Sequence, residues 1–277
     1  MADSIRSAAV AGSWYPADAR GVGRVVEEHL ARVHQAPPEG RLVGLVAPHA
    51  GLQYSGSVAA HAYALLRGRR NLTVILVGPS HRVDFEGCAL WARGAFDTPL
   101  GRIPVDEECA AAVLDPAAGV FDEPRPHRPE HSLEMQLPFL QHLVAGLKIV
   151  PVLMGRQTRG QAEALAAVLA RAVEQHPALL VASSDLSHFQ PAHVAQQLDR
   201  EVVGDVERLD PEGLMTRLER DPGHACGGGP LVAVLSAARR LGADHAVVLR
   251  YGDSGDEGEH DKSRVVGYLA AALLAAA

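Results

Sequence analysis

Three short apolar runs, each followed by a turn that carries a histidine, constrain the fold of this chain more than any other feature. The runs and their histidines are LVGLVA at 42–47 with His49, TVILV at 73–77 with His81, and LLVAS at 179–183 with His188. Apolar runs of this length, bounded by turn residues, are typical of buried strands. Open α/β sheets bind ligands beyond the carboxyl ends of their strands, so neighbouring strands would bring the three histidines together.

Helical patterns alternate with the apolar runs along the chain. The spacing of apolar residues predicts amphipathic helices over 22–33 and 159–176, and further strands over 246–251 and 265–277. No change of composition divides the 277 residues. The alternation predicts an α/β fold with a single three-layer α/β/α domain over 5–277, around a central sheet that is mostly parallel or mixed.

Composition and charge exclude several classes of protein. Hydrophobic residues make up 47% of the chain, which is enough for a large core and argues against global disorder. The net charge of −7 argues against a nucleic-acid or anionic-membrane surface, and the apolar tail 265–277 is too short to span a bilayer. Three cysteines and no apolar leader segment predict a cytoplasmic protein with reduced thiols.

Cys226 is the cysteine with the most unusual surroundings. It lies in a glycine-rich turn directly before a predicted helix over 231–241, with Pro230 at the first helical position. A helix N-terminus favours negative charge and can lower the pKa of a thiol. Together with His49 and His81, a Cys226 thiolate would suit a divalent transition metal and leave coordination positions open.

Two pairs of residues three positions apart could take part in acid–base chemistry or substrate binding. His188 could act as a general base with Asp185 as its orienting carboxylate, or Asp185 could instead cap a following helix. His131 and Glu134 would point the same way on one helical turn and could bind a substrate at the pocket rim. The chain lacks the glycine fingerprints of nucleotide sites and the G-x-S-x-G nucleophile elbow.

The motifs PHAG, GPSH, EHSLEMQLPF, SSDLSH and CGGGP occur in this order along the chain. In motif content and order the chain resembles the Memo-like family, whose bacterial and archaeal members are named AmmeMemoRadiSam system protein B. The resemblance runs from about Ser7 to near the end of the chain. It implies a fold shared with class III extradiol ring-cleavage dioxygenases and metal ligands at His49, His81 and Cys226.

The same resemblance implies further pocket residues. Asp185 and His188 match pocket positions, and His188 falls where the ring-cleaving enzymes keep a catalytic histidine. Trp14 and Tyr54 match pocket-lining aromatics that in the animal member are linked to phosphotyrosine peptides, a role that we do not carry to this chain. The ring-cleaving enzymes have a carboxylate where this chain has Cys226, and a thiolate can itself be oxidised, so ring cleavage does not follow from the resemblance.

Three functional hypotheses result. The first is a dioxygenase-like, metal-dependent oxidoreductase with iron, or alternatively copper, in a His/His/Cys pocket where His188 moves protons. The second is a non-catalytic protein that binds a small molecule or peptide and works with AMMECR1-like and radical-SAM proteins. The third is a zinc hydrolase, because the same ligands can activate water.

Overall fold

The computed structural model describes residues 4–256 and 260–276, which form twelve strands and eight α-helices. The strands are β1 (Ile5–Arg6), β2 (Arg41–Ala47), β3 (Thr73–Pro79), β4 (Cys88–Leu90), β5 (Ala95–Thr98), β6 (Gly101–Pro104), β7 (Val120–Asp122), β8 (Lys148–Met154), β9 (Leu179–Ser183), β10 (His188–Gln190), β11 (His245–Asp253) and β12 (Val265–Ala275). The helices are α1 (Ala19–Leu30), α2 (Leu52–Tyr63), α3 (Glu107–Val113), α4 (Leu137–Leu143), α5 (Arg159–Gln175), α6 (Ala192–Glu207), α7 (Pro211–Arg220) and α8 (Gly228–Arg240).

Nine of the strands form one mixed sheet. Its order is β10-β12-β2-β9-β3-β8-β4-β7, and β11 pairs with β12. The central strands β2, β9, β3 and β8 run parallel to one another, whereas β12 and β4 run antiparallel to their neighbours β2 and β8. The strands β1, β5 and β6 form a small second sheet.

Helices cover both faces of the central sheet. Helix α2 packs on β12 and β2 with α1 and α4 beside it, and α8 packs on β9, β3 and β2 with α5 and α7 beside it. The central strands are therefore covered on both sides, which explains their near-continuous apolar sequences. Val74 to Val77 of β3, for example, are fully buried. The predicted α/β fold with a central mixed sheet between helices is confirmed.

Helix α8 begins earlier than the sequence predicts. The prediction started it near Leu231 with Pro230 first, whereas the helix begins at Gly228 and Gly227 is its N-cap. Pro230 fits within the first turn because N–H groups there have no partner inside the helix. Cys226 consequently lies immediately before the cap, at the end of α8 that faces the sheet edge.

None of the helices within residues 4–256 and 260–276 combines the length and the apolarity that crossing a lipid bilayer requires. Within the apolar tail, Val265–Ala275 form β12, which is paired on one side with β2 and on the other with β11; residue 277 lies outside the described residues.

Candidate metal centre

The order of the sheet brings the predicted histidine turns to one place. β9 lies between β2 and β3, and all three strands run parallel, with Ala47 opposite Ser183 and Val77 opposite Ala182. Their carboxyl ends therefore open on the same edge. A cavity of about 640 Å³ lies there, and its walls include His49, His81, His131, Asp185 and His188.

His49, which lines this cavity, is in direct contact with Cys226, which lines a separate cavity of about 480 Å³. The sulfur of Cys226 lies 3.1 Å from Nε2 of His49, although 177 positions separate the two residues. With His81 they form a group whose candidate ligand atoms all lie within 4.8 Å of one another. Two imidazoles and one sulfur at this spacing are a suitable donor set for a transition metal.

Hydrogen bonds fix the proton on the His49 ring. The Ser183 hydroxyl donates its single hydrogen to the carbonyl of Ser132 at 2.8 Å, so it accepts from Nδ1 of His49 at 2.7 Å. Gln136 donates to the same hydroxyl oxygen and to the carbonyls of Pro48 and Ser132. Nε2 of His49 is therefore unprotonated and directed at the sulfur, which is the form that binds metals.

A buried carboxylate orients His81 in the same manner. Glu130 accepts from Nδ1 of His81 at 2.9 Å and from the main-chain N–H groups of His81, His131 and Ser132. Burial raises the pKa of Glu130, but the hydrogen bond from His81 and the nearby His81 and His131 charges together lower it to about 2. Glu130 is thus ionised, and Nε2 of His81 is left for a ligand.

His131 forms part of the cavity wall. Its ring stacks on His81 with the centroids 4.6 Å apart and lies 4.3 Å from the ring of Trp14. Burial is the main reason that its pKa falls to about 4. The candidate ligand atoms of His81, Glu130 and His131 are also close enough to share a metal ion. The Glu130 carboxylate, however, already accepts four hydrogen bonds, which favours a role for Glu130 in orienting His81 rather than in binding a metal.

The expectation that the helix N-terminus lowers the pKa of Cys226 is wrong. Burial raises the pKa of this thiol far above its ordinary value, and the neighbouring Asp185 charge raises it further. Desolvation outweighs the helix dipole here because the sulfur is packed among buried groups. A bound cation would reverse this balance, since metal ligation deprotonates a thiol outright.

Neither predicted role for Asp185 matches its position. Its carboxylate accepts from the main-chain N–H of His49 at 2.7 Å, and the segment that follows is β10 rather than a helix. Nδ1 of His188 instead donates to the carbonyl of Leu186 at 2.8 Å, which leaves Nε2 of His188 as an acceptor. Burial raises the pKa of Asp185 to about 7 and is the main cause that lowers the pKa of His188. Asp185 fixes the turn that carries His49, and His188 is oriented by its own strand.

The predicted substrate-binding residues divide into two groups. Trp14, Tyr54 and His131 line the cavity. Glu134 does not, because its carboxylate binds Arg6 at 2.6 Å, the hydroxyl of Tyr15 at 2.7 Å and two main-chain N–H groups. This network anchors the N-terminal segment, so the position of Glu134 does not support contact with a substrate.

Sequence reasoning missed four residues at this site. They are Glu130, Ser183 and Gln136, which orient the histidines, and Arg264, which lines the cavity. A weak signal existed for two of them. Ser183 is a polar residue at the end of an apolar run, and Glu130 directly precedes His131 in the EHSLEMQLPF motif.

Comparisons with known proteins agree with this architecture. Residues 6–272 match the family model described as Memo-like protein. A MEMO1 family protein of Sulfolobus acidocaldarius is 38% identical over 280 residues, covering 96% of this chain and 98% of the relative. One from Methanosarcina acetivorans is 38% identical over 271 residues, with the same coverage of both chains. The crystal structure of the uncharacterized Escherichia coli K12 protein JW3007 shares the fold, with a TM-score of 0.53 and 15% identity, over 82% of this chain and 99% of that one.

Proposed function

This chain belongs to the Memo-like protein family, and from that premise and the geometry of the cleft we propose that it is a metal-dependent oxidoreductase. The metal would be held by His49, His81 and Cys226, and iron is preferred over copper. The observation that carries the proposal is the 3.1 Å contact between the Cys226 sulfur and the unprotonated Nε2 of His49.

The donor set fits a resident transition metal on three counts. Burial, and then the neighbouring His81 and His131, hold the pKa of His49 well below its usual value, so the ring is neutral and can ligate. Both histidines donate Nδ1–H to oriented oxygens, the arrangement usual for metal-ligating imidazoles. Two of the three candidate donors are imidazole nitrogens, which suit iron and copper alike, and the third is the sulfur of Cys226.

When bound, the ion would supply Lewis acidity and one-electron redox chemistry to a ligand in the cleft. The protein's own groups bind and orient that ligand. Nε2 of His188 is an acceptor on the cavity wall and could take a proton from it, since Nδ1 is committed to the Leu186 carbonyl. Trp14 and the His131 ring form an apolar wall that excludes water from one side.

Anaerobic loading of the purified chain with Fe(II), followed by desalting and iron analysis, tests this proposal. We expect stoichiometric iron in the unaltered protein and its loss in Cys226→Ala. Cys109→Ala is the matched control, because Cys109 is fully buried in α3 and is not among the candidate ligands. Iron uptake that does not depend on Cys226 would overturn the proposal.

Loading with Cu(I) and Zn(II) in parallel would identify the preferred metal. Oxygen consumption by the iron-loaded protein in the presence of candidate substrates then separates an oxidoreductase from a zinc hydrolase, which consumes no oxygen. His188→Gln should lower the oxygen consumption and leave the iron content unchanged, because His188 is not one of the three candidate metal ligands.

A second candidate function is a non-catalytic binding protein that works with AMMECR1-like and radical-SAM proteins. The exposure of two aromatic side chains, Tyr54 at 45% and Phe189 at 59%, favours this alternative, because both line the cavity and could contact a peptide or partner. For this function Tyr54→Ala should weaken partner binding, whereas His188→Gln should have no effect on it. The reverse result favours the oxidoreductase.

We also propose a reducing, cytoplasmic location. All three cysteines are free thiols, and Cys88 and Cys109 are buried. Disulfide-free cysteines are the rule in that compartment. Fluorescence microscopy of a tagged chain in its native host would test this location.

A further inference from the structure

Arg264 places a positive charge in the wall of the candidate metal cleft. It lies directly before β12, its side chain is exposed, and it lines the same cavity as His49, His81, His131 and His188. Its guanidinium carbon lies 4.6 Å from the centre of the Phe189 ring, a cation–π contact. Among residues 4–256 and 260–276, no carboxylate forms an ion pair with Arg264.

The backbone holds Phe189 in an unusual conformation beside this charge. Its φ of 59° lies in the left-handed region, which bulky residues rarely adopt. The pairing of β10 with β12 is irregular at this point, between His188 and Gln190. Phe189 is 59% exposed, and the centre of its ring lies 5.6 Å from that of the His188 ring. The strand irregularity thus combines an aromatic surface, a cation and the proposed base in one wall.

The rest of the cavity suits a flat apolar group. Trp14, Tyr54 and Tyr268 also line it, so aromatic side chains face the ligand space from several segments of the chain. Its volume of about 640 Å³ is in the range that encloses a small organic molecule. Asp185, the one acidic residue among the described residues of the lining, is 4% exposed and already accepts from the His49 main chain, so it does not neutralise Arg264.

We propose that the cleft binds small aromatic carboxylates, with the ring between the aromatic side chains and the carboxylate on Arg264. This inference rests on the proposed function, since it names the substrate class of the same site. Arginine is the natural partner because its planar guanidinium donates two parallel hydrogen bonds to a carboxylate. Arg264 would then determine specificity, with the opposite end of the ligand directed toward His49 and His81, which line the same cavity.

Equilibrium titration with benzoate and benzamide tests the inference, because the two molecules share a shape and differ in charge. We expect the protein to bind benzoate about tenfold more tightly than benzamide, and Arg264→Gln to lose that preference. Arg264→Lys should retain part of it. Arg93→Gln is the matched control, because Arg93 is exposed and does not line the cleft.

The titrations are made by ligand-observed nuclear magnetic resonance on both metal-free and iron-loaded protein. Equal affinity for the two probes in both states, or a benzoate preference that survives in Arg264→Gln, would overturn the inference. Arg264-dependent binding of phenyl phosphate without binding of benzoate would also overturn it, because the ligand would then be a phosphate ester. A failure of the proposed function is distinguishable, since it appears as iron uptake independent of Cys226.

Discussion

The Ser183 hydroxyl lies 2.7 Å from Nδ1 of His49 and determines which ring nitrogen carries the proton. It can do so because its own hydrogen is committed to the Ser132 carbonyl. The amide of Gln136 is itself fixed, since the Tyr63 hydroxyl donates to its oxygen and its nitrogen donates to three oxygen atoms. The protonation state of the candidate ligand is thus set by residues that do not touch the cavity.

Ser183→Ala should weaken metal binding without unfolding the protein. The Nδ1–H group of His49 loses its acceptor, so the ring can rotate or change tautomer. We expect the affinity for Fe(II) to fall by about 10- to 100-fold, the usual effect of removing a partner that orients a ligand. Competition with a chelator of known affinity would measure the change.

Ser55→Ala is the control for this substitution. Ser55 is also a buried serine, but its hydroxyl donates to the Ala50 carbonyl and contacts no candidate ligand. Both variants lose one buried hydroxyl, so a general effect of that loss on the protein should appear in both of them. If the two variants bound Fe(II) equally well, the tautomer explanation would be wrong.

Gly227→Ala should both destabilise the protein and reduce its iron uptake. A Cβ atom at this position would collide with the carbonyl oxygen of Ser183 and lie 2.8 Å from Cβ of Ser184. Because the first of these atoms belongs to a strand backbone, the turn that carries Cys226 would have to move. We expect a loss of about 1–3 kcal/mol in the free energy of unfolding, measured by urea denaturation.

Gly23→Ala should change the stability in the opposite direction to Gly227→Ala. Gly23 is inside α1, and apart from its chain neighbours and the backbone of that helix, no atom of the described residues lies within 4 Å of the position that a Cβ would take there. Alanine should therefore stabilise this helix by about 0.5–1 kcal/mol and leave iron uptake unchanged. Equal stability changes at the two glycines would contradict the steric argument for Gly227.

His127 should make the protein sensitive to acid. The ring is buried, with Nε2 donating to the Ala89 carbonyl and Nδ1 lacking a partner within the described residues. Burial lowers its pKa from 6.5 to about 3 in the folded protein. Below pH 6.5 the unfolded chain therefore binds a proton that the folded chain does not bind. Stability should fall as the pH decreases across that window, by up to about 1.4 kcal/mol per pH unit.

The slope attributable to His127 can be isolated by substitution. His127→Gln retains a donor for the Ala89 carbonyl but takes up no proton. Its free energy of unfolding is measured by urea denaturation between about pH 4 and about pH 6. The slope of this free energy against pH should be smaller than in the parent, by an amount that corresponds to the uptake of up to about one proton on unfolding. His193→Gln, at an exposed position in α6, controls for the substitution itself. Identical slopes for His127→Gln and the parent would disprove this origin of acid sensitivity.

The fold and the convergence of the histidine turns could be predicted from the sequence because they depend on local patterns. An apolar run followed by a histidine predicts a buried strand and a residue at its carboxyl end. Parallel neighbours then bring His49, His81 and His188 to one edge. The α/β class follows from the same alternation of strands and helices.

The hydrogen-bond partners could not be predicted, because they depend on contacts between remote segments. Glu134 is three positions from His131, yet it turns toward Arg6, which lies 128 positions away. Asp185 is three positions from His188, yet it binds the main chain of His49. Spacing along a helix or turn gives the direction of a side chain only when the segment adopts that geometry, and neither segment is an α-helix at these positions.

The candidate donors lie far apart in the sequence, at His49, His81 and Cys226, and meet only when β2, β9 and β3 are paired and α8 is docked. No proteolytic fragment that lacks one of these segments would have the full set of candidate donors. A captured ion would add its binding free energy to the folded state alone. In a cell that is starved of the metal, the protein would then be degraded faster, and its abundance would follow the metal supply.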